Sequence, residues 1–155
     1  MEYNLLVIAR ALHVIAVVLW IGGVAFVTTV LIPAIRSSQT AENRLKIFEV
    51  LEGKFSFQAK ITTLITGLSG FYMLYVMNGW SSMQWWIYLM ILVWTIFSLV
   101  LFVFEPLFLH TWFHRQAKKN SERTFFVVQV MHIVLLTISL AAVFAGVAGV
   151  HGLFY

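Results

Sequence analysis

Val103-Phe104-Glu105-Pro106-Leu107-Phe108-Leu109-His110-Thr111-Trp112-Phe113-His114 closes an apolar run that begins at Trp85. A carboxylate, a proline and two histidines sit where a helix built from that run should leave a membrane. Ionisable side chains are costly in hydrocarbon, so they face a bundle interior or a water-filled cavity. Glu105 is therefore either an interfacial residue at a helix end or one member of a polar site. The second reading requires partners at the same depth on other helices.

The rest of the chain sets the frame for that search. Of 155 residues, 61% are hydrophobic and only 10% charged, a balance that belongs to integral membrane proteins. Cysteine is absent, which excludes disulfides, Cys-based metal sites and thiol catalysis. Nine of the ten Lys and Arg residues lie in two short segments, 36–60 and 115–123. Membrane topology explains that clustering better than a nucleic-acid partner does, and none is expected. Four apolar runs stand out: Leu5–Ile35, Phe55–Met77, Trp85–Leu109 and Phe125–Phe154. Each is long enough to cross a hydrocarbon core, which takes ~20 helical residues. The first run is too long for a signal-peptide core and lacks a basic start, so it reads as a mature helix. The expected fold is all-α, an integral membrane up-down four-helix bundle forming one domain over 1–155, with helices near 5–35, 55–77, 85–109 and 125–154.

Orientation follows from charge. Positive residues stay on the cytoplasmic side, so 36–60 and 115–123 are expected inside and both termini outside, in a bacterial inner membrane. The uncharged turn Asn78–Gln84 is flanked by Tyr72, Tyr75, Trp80, Trp85, Trp86 and Tyr88, an aromatic belt on the outer side. In the longest connection, Thr40 can cap a helix, Leu45, Phe48 and Leu51 share a face, and Gly53 can end it. That segment is expected on the cytoplasmic surface or as an extension of a membrane helix.

Polar residues inside the runs fall into stripes. Helical neighbours recur every three or four positions. His13, Ala16, Trp20, Gly23 and Val27 share one face. Lys60, Thr63, Gly67 and Gly70 share another, as do Trp94, Ser98, Leu101 and Glu105. His132, Ser139, Ala142, Gly146 and Gly149 make the fourth. Small residues mark helix contact faces in membranes, and the ionisable residues join the same faces. At a rise of ~1.5 Å per residue, Lys60, Glu105 and His132 lie roughly 10 Å from their helix centres toward the basic side. Arg10, His13 and His151 lie roughly 15–20 Å toward the other.

Two chemistries suit these groups. The inner set reads as a proton relay carried by Lys60 and Glu105, with His132 sharing the proton. Imidazoles on facing helices can also ligate b-type haem iron. By depth His13 and His151 are the pair, with Arg10 placed to meet a propionate, and His132 is the other ligand candidate. Copper is the competing metal. His110 and His114, four residues apart, form a weaker candidate metal pair that a solvated interface explains equally well. No nucleophile-plus-base constellation is present.

The stretch Leu12-His13-Val14-Ile15-Ala16-Val17-Val18-Leu19-Trp20-Ile21-Gly22-Gly23 resembles the first helix of small CopD-like membrane proteins, relatives of the membrane domain of the copper-resistance protein D. Its Leu-His with a Trp one heptad on also resembles the start of HemJ-type protoporphyrinogen oxidases, which are four-helix, b-haem-associated membrane proteins. Thr66-Gly67 within Lys60–Gly70 is similar to their second helix, and Glu105-Pro106 loosely resembles the family's acidic-Pro element. Where HemJ-type proteins carry a Pro-Arg segment after helix 1, Ile32-Pro33-Ala34 stands here. The resemblance implies a haem or metal ligand at His13. The expectation is a b-type haem-binding membrane protein with a redox role in electron transfer, working with a membrane redox partner or quinone, and with a homodimer as one assembly. A copper-handling or transport protein, or a structural membrane subunit, is the alternative.

Overall fold

The computed structural model describes residues 2–81 and 83–153, and among these the chain is helices and short turns without a strand. The first apolar run is one continuous rod. Helix α1 (Glu2–Phe26) passes through a π-helical segment, Val27–Leu31, into α2 (Ile32–Ser38). Pro33 gives the reason for the π segment. Its ring crowds the carbonyl four residues back and it donates no hydrogen bond, and a wider π turn accommodates both defects. Thr28 and Thr29 add to the distortion, their hydroxyls donating to the carbonyls of Val24 and Ala25.

Helix α3 (Ala41–Val76) is a single rod of 36 residues. It joins the expected surface segment to the second apolar run. Gly53 does not end a helix, and Thr40 stands at the N-cap without a side-chain capping bond. Of the two expectations for this segment, the extension of a membrane helix is the one observed. Packing outweighs the ~1 kcal/mol helix penalty of a glycine, since Phe48 and Phe55 on either side are drawn into the core. Helix α4 (Trp85–Leu99) continues through a second π segment, Val100–Leu109, around Pro106, and into α5 (His110–Lys119). Helix α6 (Ser121–Val150) is capped by Asn120, whose side chain accepts from the Arg123 amide. It stops at Val150 and not at Phe154: His151–Leu153 form a turn, and 154–155 lie outside the described residues. Tyr3–Ser38, Trp85–Phe108 and Ser121–Val150 are each long and apolar enough to cross a membrane.

Neighbouring rods run antiparallel and meet along the small-residue stripes. Gly23 of α1 sits under the Phe55 ring of α3, and His13 reaches Thr66 and Ser69 further along it. A Cβ on Gly67 of α3 would stand 2.6 Å from the indole of Trp94. Gly146 and Gly149 of α6 lie under Met90 and Trp86 of α4, close enough that a methyl group would overlap them. Two apolar clusters result. One, at mid-depth, gathers Trp20, Val24, Val93, Phe97, Leu101 and Ala142. The other, at the basic end, stacks Phe48 on Phe113 and Phe125 with ring centroids 5.1 and 5.4 Å apart. Beside it, Arg36 and Arg44 both grip Glu122, tying α2, α3 and α6 together.

Candidate functional site

Glu105 lies in the π segment of the third rod, immediately before Pro106. The wider turn directs it at α3. Ser56 Oγ is 2.6 Å from each carboxylate oxygen, so its one hydroxyl hydrogen serves either, and Lys60 Nζ is 3.0 Å from Oε1. Ser56 and Lys60 are four residues apart, on one face of α3. Ser56 is buried. The charged side chains are 31% and 22% exposed for Lys60 and Glu105, too enclosed for an ordinary surface ion pair.

Glu105 of this pair borders a cavity of about 80 Å³. Ser56, Glu52 and Glu105 line it together with Trp20, Phe97 and, from α6, His132. Most of its lining is apolar, with Glu52, Ser56, Glu105 and His132 as the ionisable or hydroxyl groups, and its volume exceeds the ~10–15 Å³ that one water beside such groups needs. Two groups facing it have unused hydrogen-bonding capacity. Trp20 is 3% exposed, and its indole N–H has no partner among the described residues. His132 Nδ1 lies 2.8 Å from the Val128 carbonyl of its own helix. A carbonyl can only accept, so Nδ1 carries the hydrogen, and Nε2 of the neutral ring keeps its lone pair. The inner residues are thus assembled as an ion pair, Lys60 with Glu105, and an imidazole, His132, across one cavity.

The outer residues are not assembled in that way. His13 is half-buried, with Nδ1 3.0 Å from both the Thr66 carbonyl and Ser69 Oγ. Ser69 gives its own hydrogen to Ile65 O, 2.6 Å away, so Ser69 Oγ and the Thr66 carbonyl both face His13 as acceptors and Nδ1 carries the hydrogen. His151 is exposed and bonds the Val147 carbonyl of its own helix at 2.7 Å. Arg10 is exposed and donates to Met77 Sδ at 3.6 Å. His13 Nδ1 is thus held by α3 and His151 Nδ1 by its own helix, contacts that leave the Nε2 lone pair of each ring unused. The inner cavity, with one histidine and about 80 Å³, does not take a porphyrin. The His110 side chain lies outside the described residues. His114 Nε2 meets Glu49 Oε1 of α3 at 2.5 Å. Among the described residues no three His, Asp or Glu side chains group as metal ligands.

Three participants had not been singled out from the sequence as part of this site: Ser56, Glu52 and the Trp20 N–H. Glu52, Ser56 and Lys60 follow one another at intervals of four, a signal that was legible once Lys60 was chosen. Trp20 was placed on the right stripe, but nothing in a sequence shows that its N–H lacks a partner. No family model, no curated protein and no solved structure matches this chain.

Proposed function

We propose that this is an inner-membrane protein with four crossings, an up-down bundle in which α3 is the fourth, and that its buried Ser56–Lys60–Glu105 centre handles protons together with His132 in support of redox chemistry in the membrane. One observation carries the reading: a carboxylate paired with an ammonium group shares one cavity, large enough for water, with an imidazole that keeps a free lone pair. Pairing offsets part of the ~2.5–3.5 kcal/mol that each charge costs in a membrane helix. A proton arriving through cavity water meets the Nε2 lone pair of His132, and the imidazolium so formed is stabilised by the nearby Glu105 carboxylate. Lys60 keeps the carboxylate in place between transfers. Infrared difference spectra of the reconstituted protein across a pH series test this. A carboxyl signal that titrates in the wild type should vanish in Glu105→Gln. Identical difference spectra for the two proteins would sink the reading.

A second reading rests on His13. Its Nδ1–H bond to a backbone carbonyl is the outer contact that orients an imidazole for metal ligation through Nε2. A b-type haem held there would need its other ligand from beyond the contacts described, such as a second copy of the chain. The visible spectrum of the purified protein decides it. A haem band that His13→Ala removes supports the ligand, and an unchanged band in folded mutant protein refutes it. Metal analysis of the same sample addresses copper.

A further inference from the structure

The basic end of the molecule carries a second hollow, built from other residues. It is an open groove of about 420 Å³ between α2 and α6, lined by Pro33, Arg36, Ser37, Glu122 and Gln129. Its size falls within the ~300–1,000 Å³ of ligand clefts, and every lining side chain but Pro33 is polar or charged. Arg36 spans it, with Nη1 2.5 Å from Gln129 Oε1 and Nη2 2.6 Å from Glu122 Oε1. Arg44 of α3 reaches the other oxygen of Glu122, 2.5 Å away. One carboxylate thus serves two guanidiniums, and among the described residues no second carboxylate meets either of them. One positive charge is left over on arginine side chains only 25% and 17% exposed.

Hydrogen-bonding capacity is left over as well. Each terminal nitrogen of Arg36 carries two hydrogens and uses one in the bonds above. Gln129 accepts through Oε1, so its Nε2 hydrogens remain as donors. Ser37 gives its hydroxyl hydrogen to the Ala34 carbonyl and keeps its oxygen as an acceptor. Beside these polar groups the surface is apolar. The Phe126 ring lies 5.8 Å from the Arg36 guanidinium, and both Phe126 and Val130, one turn further along α6, are exposed. Arg36 and Ser37 fall in the last turn of Tyr3–Ser38, a stretch long and apolar enough to cross a membrane. In a bilayer the groove would therefore stand at headgroup depth.

We infer that this groove binds an anionic phospholipid whose headgroup carries hydroxyls, of the phosphatidylglycerol kind. This rests on the membrane reading above and not on proton handling. The phosphodiester takes the remaining hydrogens of Arg36 and of the Gln129 amide, and its single negative charge balances the surplus guanidinium. A headgroup hydroxyl donates to Glu122 or Ser37, and an acyl chain lies along Phe126 and Val130. A zwitterionic headgroup would leave the surplus charge unbalanced.

Native mass spectrometry of the protein in detergent, titrated in turn with phosphatidylglycerol, phosphatidylethanolamine, phosphatidylcholine and glycerol phosphate, reads the affinity for each. Phosphatidylglycerol should bind about tenfold more tightly than either zwitterionic lipid, the effect of one charge-assisted contact. Arg36→Gln should abolish that preference. Lys119→Gln, which removes an equal charge from an exposed position on α5, should keep it. Gln129→Glu covers a poorly folding Arg36→Gln. It retains an acceptor for Arg36, removes the amide donor and adds a negative charge, so it should lose the preference too. Equal binding of the three lipids, a preference that survives in the folded groove variants, or one lost equally in Lys119→Gln overturns the lipid site. So does glycerol phosphate binding as tightly as the lipid, which would mark the groove as a site for a soluble phosphate ester. Release of the protein from vesicles by an alkaline wash would instead sink the membrane reading, and the lipid site with it.

Discussion

Glu105 is held by two donors that arrive from one turn of α3, and its neighbours set what a substitution there does. Glutamine keeps the shape and the Ser56 bond but leaves Lys60 half-buried beside a neutral amide. A hydrogen bond to a charged group contributes about 1.5–3 kcal/mol, so Glu105→Gln is expected to lower stability by about that much in mixed-micelle unfolding. Lys60→Met in the same background should return part of the loss, since no unpaired ammonium then remains. If the two single effects merely add, the residues are uncoupled and the pair contributes nothing specific. Lys60 need not snorkel away, because the carboxylate that meets it lies 3.0 Å off. His114 and Glu49 contrast with this. Both are more than a quarter exposed, and His114→Gln is expected to change stability by less than about 1 kcal/mol in the same assay.

Helices differ in how they use glycine, and the difference yields a paired test. Gly67 lies under the Trp94 indole, and a methyl group there would stand 2.6 Å from a ring pinned by its own bond to the Thr63 carbonyl. Gly22 is exposed on α1, with nothing within 4 Å of an added Cβ. Alanine is the better helix former by about 1 kcal/mol, while overpacking costs about 1–3 kcal/mol. Gly67→Ala should therefore destabilise the protein and Gly22→Ala should not. Loss of stability in both, or in neither, would remove close α3–α4 approach as the reason for Gly67. The contact faces were legible in the sequence for the same reason. Ala16, Trp20, Val27, Thr63, Ser139 and Ala142 all belonged to the helical stripes, and all are buried. Fused rods were not legible. Gly53 reads as a stop unless the Phe48 and Phe55 contacts around it are known, and the π segments at Val27–Leu31 and Val100–Leu109 shift the register that a 3.6-residue repeat assumes. The inner site survived that shift because Glu105 and Lys60 lie at one depth. For the outer pair, depth alone says nothing about which neighbour a side chain turns toward, and the two imidazoles are held by different helices. His13 turned to α3.

Taken as a whole, the molecule poses one question about crossings. Three stretches qualify as membrane spans by length and apolarity, and α3 is not among them. Three crossings would place the termini on opposite sides, and four would place them on the same side. The α1–α3 register favours four. Arg10 meets Met77, His13 meets Thr66 and Ser69, Gln58 Nε2 meets the Leu19 carbonyl, and Gly23 meets Phe55. Those contacts follow α1 over 13 residues from Arg10 to Gly23, about 20 Å at 1.5 Å per residue. A rod in antiparallel contact over that length with a helix long and apolar enough to cross a membrane would share its depth. Lys60 lowers the hydropathy of α3, but its charge is paired with Glu105 and does not face lipid alone. The basic segments then set the orientation. Single cysteines at Tyr3, Lys46, Trp80 and Leu153, all exposed positions in a chain without cysteine, should separate by side under an impermeant maleimide. Lys46→Cys is expected to label from the cytoplasm only, and the other three from outside only. Labelling of Tyr3→Cys and Leu153→Cys from opposite faces would reduce the crossings to three and expel α3. Labelling of Trp80→Cys from the cytoplasm alone would instead keep four crossings and reverse the orientation.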